Sequence, residues 1–135
     1  MSIQRILSAL FAGLNGLMLV AFVLSVVVQY NDPDPFGWMV VYGAAAVSCA
    51  LYVRKGLPWM VPAAVALAAF GWMAFLAPRV AGRVAPGGLF ESKSMSDTGV
   101  EIAREAGGLL LVGVWMTVLA LVTGGKAWRR RTPKP

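Results

Sequence analysis

The chain has 135 residues, 59% of them hydrophobic and 13% charged, with a mean hydropathy of +0.71. A soluble domain carries about a quarter of its residues as charges, so this composition excludes a water-exposed globule and fits a chain solvated by lipid. The net charge of +6 does not mark a nucleic-acid binder, because the basic residues sit at the ends of apolar runs with no RNA-binding or helix-turn-helix signature between them.

The length suits one compact domain, residues 1–135, built as an all-α, integral-membrane four-helix bundle. The first span is expected over residues 6–30, from Ile6 to Tyr30, without a charge. At about 1.5 Å per residue it exceeds a hydrocarbon layer of roughly 30 Å and can cross with tilt. Arg5 precedes it as in a signal peptide, but the run is longer than a signal core of about 7–15 residues and no small-x-small cleavage pattern follows Val28, so a retained span is expected. Ala12 and Gly16, four apart, mark an expected contact with another helix. Asn15, deep in the span, is expected to make an interhelical hydrogen bond rather than line a ligand path.

The segment Gln29-Tyr30-Asn31-Asp32-Pro33-Asp34-Pro35 follows. Asn31 suits the left-handed position that closes a helix, and Asp34 before Pro35 reads as an N-cap with proline at the first helical position. Asp32 and Asp34 each precede a proline and are held extended. Asp32 has no evident capping duty and is therefore the stronger candidate for binding. The second span, residues 35–53, ends at Arg54-Lys55-Gly56 and contains the lone thiol, Cys49, along with Ala46 and Ala50 as a further small pair. A single cysteine cannot form an internal disulfide.

The third span, residues 57–77, opens with Pro58 and Pro62 in its first turns, where a missing N–H costs little. Residues 78–106 form the long polar segment, read as irregular loop through Gly88, an interfacial turn around Leu89 and Phe90, and a helix beginning near Gly99 behind a Thr98-x-x-Glu101 capping box. The fourth span covers residues 107–125 and is expected to stop at Gly124-Gly125. Trp38, Tyr42, Trp59, Trp72 and Trp128 fall mostly near span ends and read as an aromatic belt.

Arg5, Arg54, Lys55, Lys126, Arg129, Arg130, Arg131 and Lys134 fall on one side of the four spans. Arg79, Arg83, Lys93 and Arg104 share the other with all the acids, Asp32, Asp34, Glu91, Asp97, Glu101 and Glu105. The cation-rich side is expected in the cytoplasm, with both termini there. Glu101 and Glu105 share a helix face with Arg104 within reach. A solvated helix end is the simple account of them. The alternative is a site at the outer surface in which Asp32, Glu91, Arg104 and Glu105 converge, with Asn31, Asp34 and Glu101 as secondary members. Carboxylates without histidine suit a hard cation, Ca²⁺, Mg²⁺ or Mn²⁺, with Asp32, Glu91 and Glu105 as the ligands. No haem or zinc site is expected.

Gln29-Tyr30-Asn31-Asp32-Pro33-Asp34-Pro35, followed by Trp38 and Tyr42, resembles the hallmark of the transmembrane protein 220 family. Glu91-Ser92-Lys93 and Glu101-x-x-Arg104-Glu105-x-Gly107 resemble that family's second motif. The resemblance covers nearly the whole chain and implies a four-span membrane protein of bacteria and animals, here expected in a bacterial cytoplasmic membrane. It carries over no catalytic residue. Three functions compete on the residues. The first is an accessory or binding subunit whose acid–Arg cluster docks a membrane-protein partner or a second copy, or holds a divalent cation. The second is a metal-dependent enzyme acting on a lipid headgroup or other anionic substrate, with Arg104 on the anion. The third is a small transporter, disfavoured because no charge lies in mid-span. Lipids and a protein partner are expected; nucleic acid is not.

Overall fold

The computed structural model describes residues 2–83, 96–133 and 135, and the side chains of residues 2–78, 104–133 and 135. Among the described residues there are four α-helices: α1, Ile3–Val28; α2, Pro35–Val53; α3, Met60–Arg83; and α4, Ser96–Arg131. Each is or contains a stretch long and apolar enough to cross a membrane: residues 3–31 (α1 with the turn that closes it), 35–53, 60–78 and 104–131. Much of their surface is apolar and outward-facing: Leu7, Leu10, Leu17, Val40, Leu67 and Leu121 are all exposed. In water such a surface would aggregate; in lipid it is the solvated face.

The inward faces follow helical spacing. α1 buries Asn15, Met18 and Phe22, and α2 buries Trp38, Tyr42, Ala45, Ala46, Ser48 and Cys49. α3 contributes Pro62, Ala66 and Ala69, and α4 contributes Leu109, Val112, Met116 and Leu119 at a strict three-four repeat. The α3–α4 and α1–α2 pairs carry most of the interhelical contact. The expected packing role of Ala46 holds. Ala12 is instead exposed, and a Cβ built on Gly16 would meet nothing within 4 Å. The face of α1 that packs inward is set by Asn15 and Phe22, which lie on a different stripe.

Asn15 ties three helices. It is fully buried, donates from Nδ2 to the Cys49 carbonyl oxygen at 3.1 Å, and accepts from Trp115 Nε1 at 3.4 Å. Phe11 stacks on Trp115 with ring centroids 5.4 Å apart. Four serine and threonine hydroxyls within the spans return to their own helices: Ser25, Ser48, Thr117 and Thr123 each donate to a carbonyl four residues back. With no water available, a polar group in lipid must be satisfied this way. Asn15→Leu is expected to destabilise the bundle by about 1–2 kcal/mol, the upper range for interhelical hydrogen bonds in membranes. Thermal unfolding in detergent measures it, and a variant as stable as wild type would show that the tie contributes nothing. Cys49 is also fully buried. Membrane-impermeant maleimide should leave it unlabelled on either side of sealed vesicles, and fast labelling would show that α2 is misplaced.

Several boundaries differ from the sequence reading. α1 is closed by a 3₁₀ turn over Gln29–Asn31, with the Asp32 N–H donating to the Gln29 carbonyl at 2.9 Å, and Asn31 does not take positive φ. Lys55 does, at φ 59°. It sits in a Schellman closure of α2, with Gly56 N–H donating to the Leu51 carbonyl and Lys55 N–H to that of Tyr52, both at 3.0 Å. α3 continues through Pro78 to Arg83 instead of ending at Ala77. Pro58 lies before α3, with Pro62 in its first turn. α4 is already helical at Ser96, so Thr98 lies within the helix rather than at its cap. At its far end the helix passes through Gly124-Gly125 to Arg131, where three arginines complement the helix dipole.

Candidate functional site

The 3₁₀ turn and the extended Asp32 carry the chain from α1 to α2 across one end of the bundle. Pro35 stands at the start of α2 as expected. Asp34 occupies the cap position but its side chain makes no cap hydrogen bond. The local duty falls to Asp32, whose Oδ1 accepts from the Asp34 N–H at 3.2 Å, an Asx-turn contact. This corrects the division of roles read from sequence: Asp32 holds the turn, and Asp34 is exposed.

Behind this turn lies a recess of about 490 Å³. Ser25 and Val28 line it from the end of α1, Gln29, Asn31, Asp32 and Pro33 from the α1–α2 connection, Trp38 and Tyr42 from α2, and Arg104 and Glu105 from α4. Asp32, Arg104 and Glu105 are thus brought to one recess although more than 70 residues separate the first from the others in sequence. Asn31 joins them; Asp34 is not part of the lining. Arg104 is exposed and Glu105 half-buried. Glu91 lies outside the described residues, as does the side chain of Glu101. Among the described residues, no three Asp, Glu, Cys or His side chains gather closely enough to hold a metal ion.

The floor is aromatic. Trp38 and Tyr42 are 6% and 7% exposed, which places them in the bundle interior and not in a surface belt. Trp38 stacks on Trp72 of α3 at 4.5 Å between centroids and on Tyr42 at 6.2 Å, while Phe22 of α1 closes on Tyr42 at 6.4 Å. The Tyr42 hydroxyl reaches the backbone of α4 at Gly108, where a Cβ would collide with it. Gly108 therefore sets the distance between the floor and the helix that carries Arg104 and Glu105. Sequence reading missed Ser25 and Gln29 as lining residues, since hydropathy gives no depth within a span. It also missed Trp115, the mid-span indole that completes the Asn15 tie.

The two segments that build the recess are the same two that resemble one family's motifs, and the profile of Transmembrane family 220, helix, matches residues 21–121. The chain belongs to that family. The match takes in the end of α1, the α1–α2 connection, all of α2 and α3, and α4 through Leu121, so every described residue that lines the recess lies inside the family's common region. No curated protein and no solved structure is significantly similar to the chain.

Proposed function

We propose that this member of Transmembrane family 220 is a non-catalytic binding or accessory subunit of a membrane complex, and that its polar recess receives a cationic group of a membrane-protein partner. The observation that carries the reading is that Asp32 and Glu105 line one recess whose floor is the buried Trp38–Tyr42 pair. Carboxylates and aromatic faces both attract a cation, and their combination beside lipid strengthens each. Arg104 on the same recess offers an anchor for an acid of the partner, so a mixed-charge partner is held in one register. The absence of histidine supports binding over turnover.

Co-purification in mild detergent, combined with metal analysis, tests the proposal. Asp32→Asn with Glu105→Gln should release a stoichiometric membrane protein that stays with the wild-type chain. The fold should survive, because Asp32→Asn keeps the side-chain oxygen that accepts from the Asp34 N–H and Glu105→Gln keeps the shape and hydrogen-bonding capacity of a half-buried side chain. A tightly bound divalent ion with no protein partner would instead favour the metal-dependent alternative and end the docking reading.

The recess is proposed to face away from the cytoplasm of a bacterial cell, with both termini inside. The support is the asymmetry of charge: eight Lys and Arg on one side of the spans against four, with all the acids on the other. A reporter active in the cytoplasm should work when fused after Lys134 and fail when inserted between Gly87 and Gly88. Silence at the C-terminal fusion would overturn the orientation.

A further inference from the structure

The end of the bundle opposite the polar recess has a second cavity, of about 370 Å³, between the start of α3 and the end of α4. Trp59 and Trp128 flank it, Ala120, Gly124 and Gly125 form its back wall, and Arg131 stands on its lining. We propose that this cavity holds one anionic phospholipid, with its phosphate on Arg131 and its glycerol and first acyl carbons against the glycines.

Three features argue for that occupant. The wall is open at Gly125, where a built Cβ would meet nothing within 4 Å, while at Gly124 it would touch Trp59 at 3.7 Å, so the space over Gly125, beside the Trp59 indole, is the part left for lipid carbons. The flanking indoles are 49% and 70% exposed, the amphipathic rings that sit at headgroup depth in a bilayer. The third feature is charge. Arg129, Arg130 and Arg131 form the last turn of α4, and Arg54 and Lys55 lie on the α2–α3 turn at the same end. The C-terminal dipole of α4 opposes an anion with roughly half a negative charge, which three full positive charges outweigh. Lys126 is already engaged, donating from Nζ to the Tyr52 hydroxyl at 3.2 Å and lying 5.0 Å from that ring's centroid. Of these cations only Arg131 lines the cavity, which places it to meet the phosphate.

Native mass spectrometry of the delipidated chain, offered phosphatidylglycerol and phosphatidylcholine in equal amounts, tests the site. One phosphatidylglycerol should be retained in preference to phosphatidylcholine, and Arg131→Gln should lower its retention about fivefold, the share of one cation at a membrane surface. Gly125→Leu fills the cavity without removing charge and favours the helix, and it should abolish the preference with helix content intact. Millimolar inorganic phosphate should not displace the lipid. Equal retention of both lipids by wild type would overturn the proposal. So would phosphatidylglycerol binding unchanged by Gly125→Leu, since attraction to the basic end alone would then explain it. Displacement by phosphate would show a free-anion site instead.

Discussion

Gly113→Ala is expected to destabilise the bundle by about 1–3 kcal/mol, and Gly113→Leu to separate α3 from α4. Gly113 is buried, and a Cβ placed there would lie 2.7 Å from two atoms of the Phe70 ring. Something must move, and Phe70 is half-buried against the core. Overpacking a tight contact costs about this much in soluble proteins. In lipid no hydrophobic drive brings the helices together again, because association there rests on close contact. The sign of the effect is the diagnostic. Gly→Ala in a helix ordinarily stabilises, by roughly 0.5–1 kcal/mol. Gly71→Ala, at an exposed position with nothing within 4 Å, should be neutral or stabilising. Unfolding of both variants in detergent checks this, and Phe70→Leu added to Gly113→Ala should recover part of the loss. A Gly113→Ala chain more stable than wild type would show that α3 and α4 do not approach at this point.

Trp38→Ala is the second large effect expected. The indole is buried between Trp72 and Tyr42, so its removal opens a void that links α2 and α3 beneath the recess. Truncating a buried aromatic costs about 3–5 kcal/mol. The lower end of that range applies, because lipid keeps the ring out of water even when the helices part. Trp38→Phe keeps a stacked ring and should lose less than half as much. Both can be read by thermal unfolding together with near-ultraviolet circular dichroism, where the coupled indoles of Trp38 and Trp72 should give a signal that Trp38→Ala removes. If Trp38→Ala unfolds like wild type, the aromatic floor is not holding the two helices.

The four spans were legible because a run of about 20 apolar residues without charge has few other fates. Asn15 was legible for a related reason: a strongly polar side chain deep in lipid must find a partner, and only other helices offer one. The ends of α3 and α4 are not legible from Pro78, Gly124 and Gly125, which are punctuation in water, where the backbone has an alternative partner. In lipid breaking the helix costs more than continuing it. Trp38 and Tyr42 read as belt residues because hydropathy does not separate a lipid-facing aromatic from one facing the bundle. Their burial follows from Gly108 and Trp72, residues far away in sequence. The convergence of Asp32, Arg104 and Glu105 was legible as a hypothesis, since the expected topology puts both polar segments at one end of the bundle. The use of Asp32 in its own turn was not, since that depends on backbone angles the residue types do not fix.

Site-directed photo-crosslinking from position 29 tests the docking account most directly. Gln29 lines the recess, while Leu67 is exposed on the apolar face of α3. With a photoreactive residue in place of Gln29, irradiation of intact membranes should yield one discrete adduct to another membrane protein or to a second copy of the chain. That adduct should vanish when Asp32→Asn and Glu105→Gln are added. The same residue placed at position 67 should give lipid adducts alone. Lipid adducts alone from position 29, or a protein adduct indifferent to the loss of both carboxylates, would contradict the proposal that the recess docks a partner.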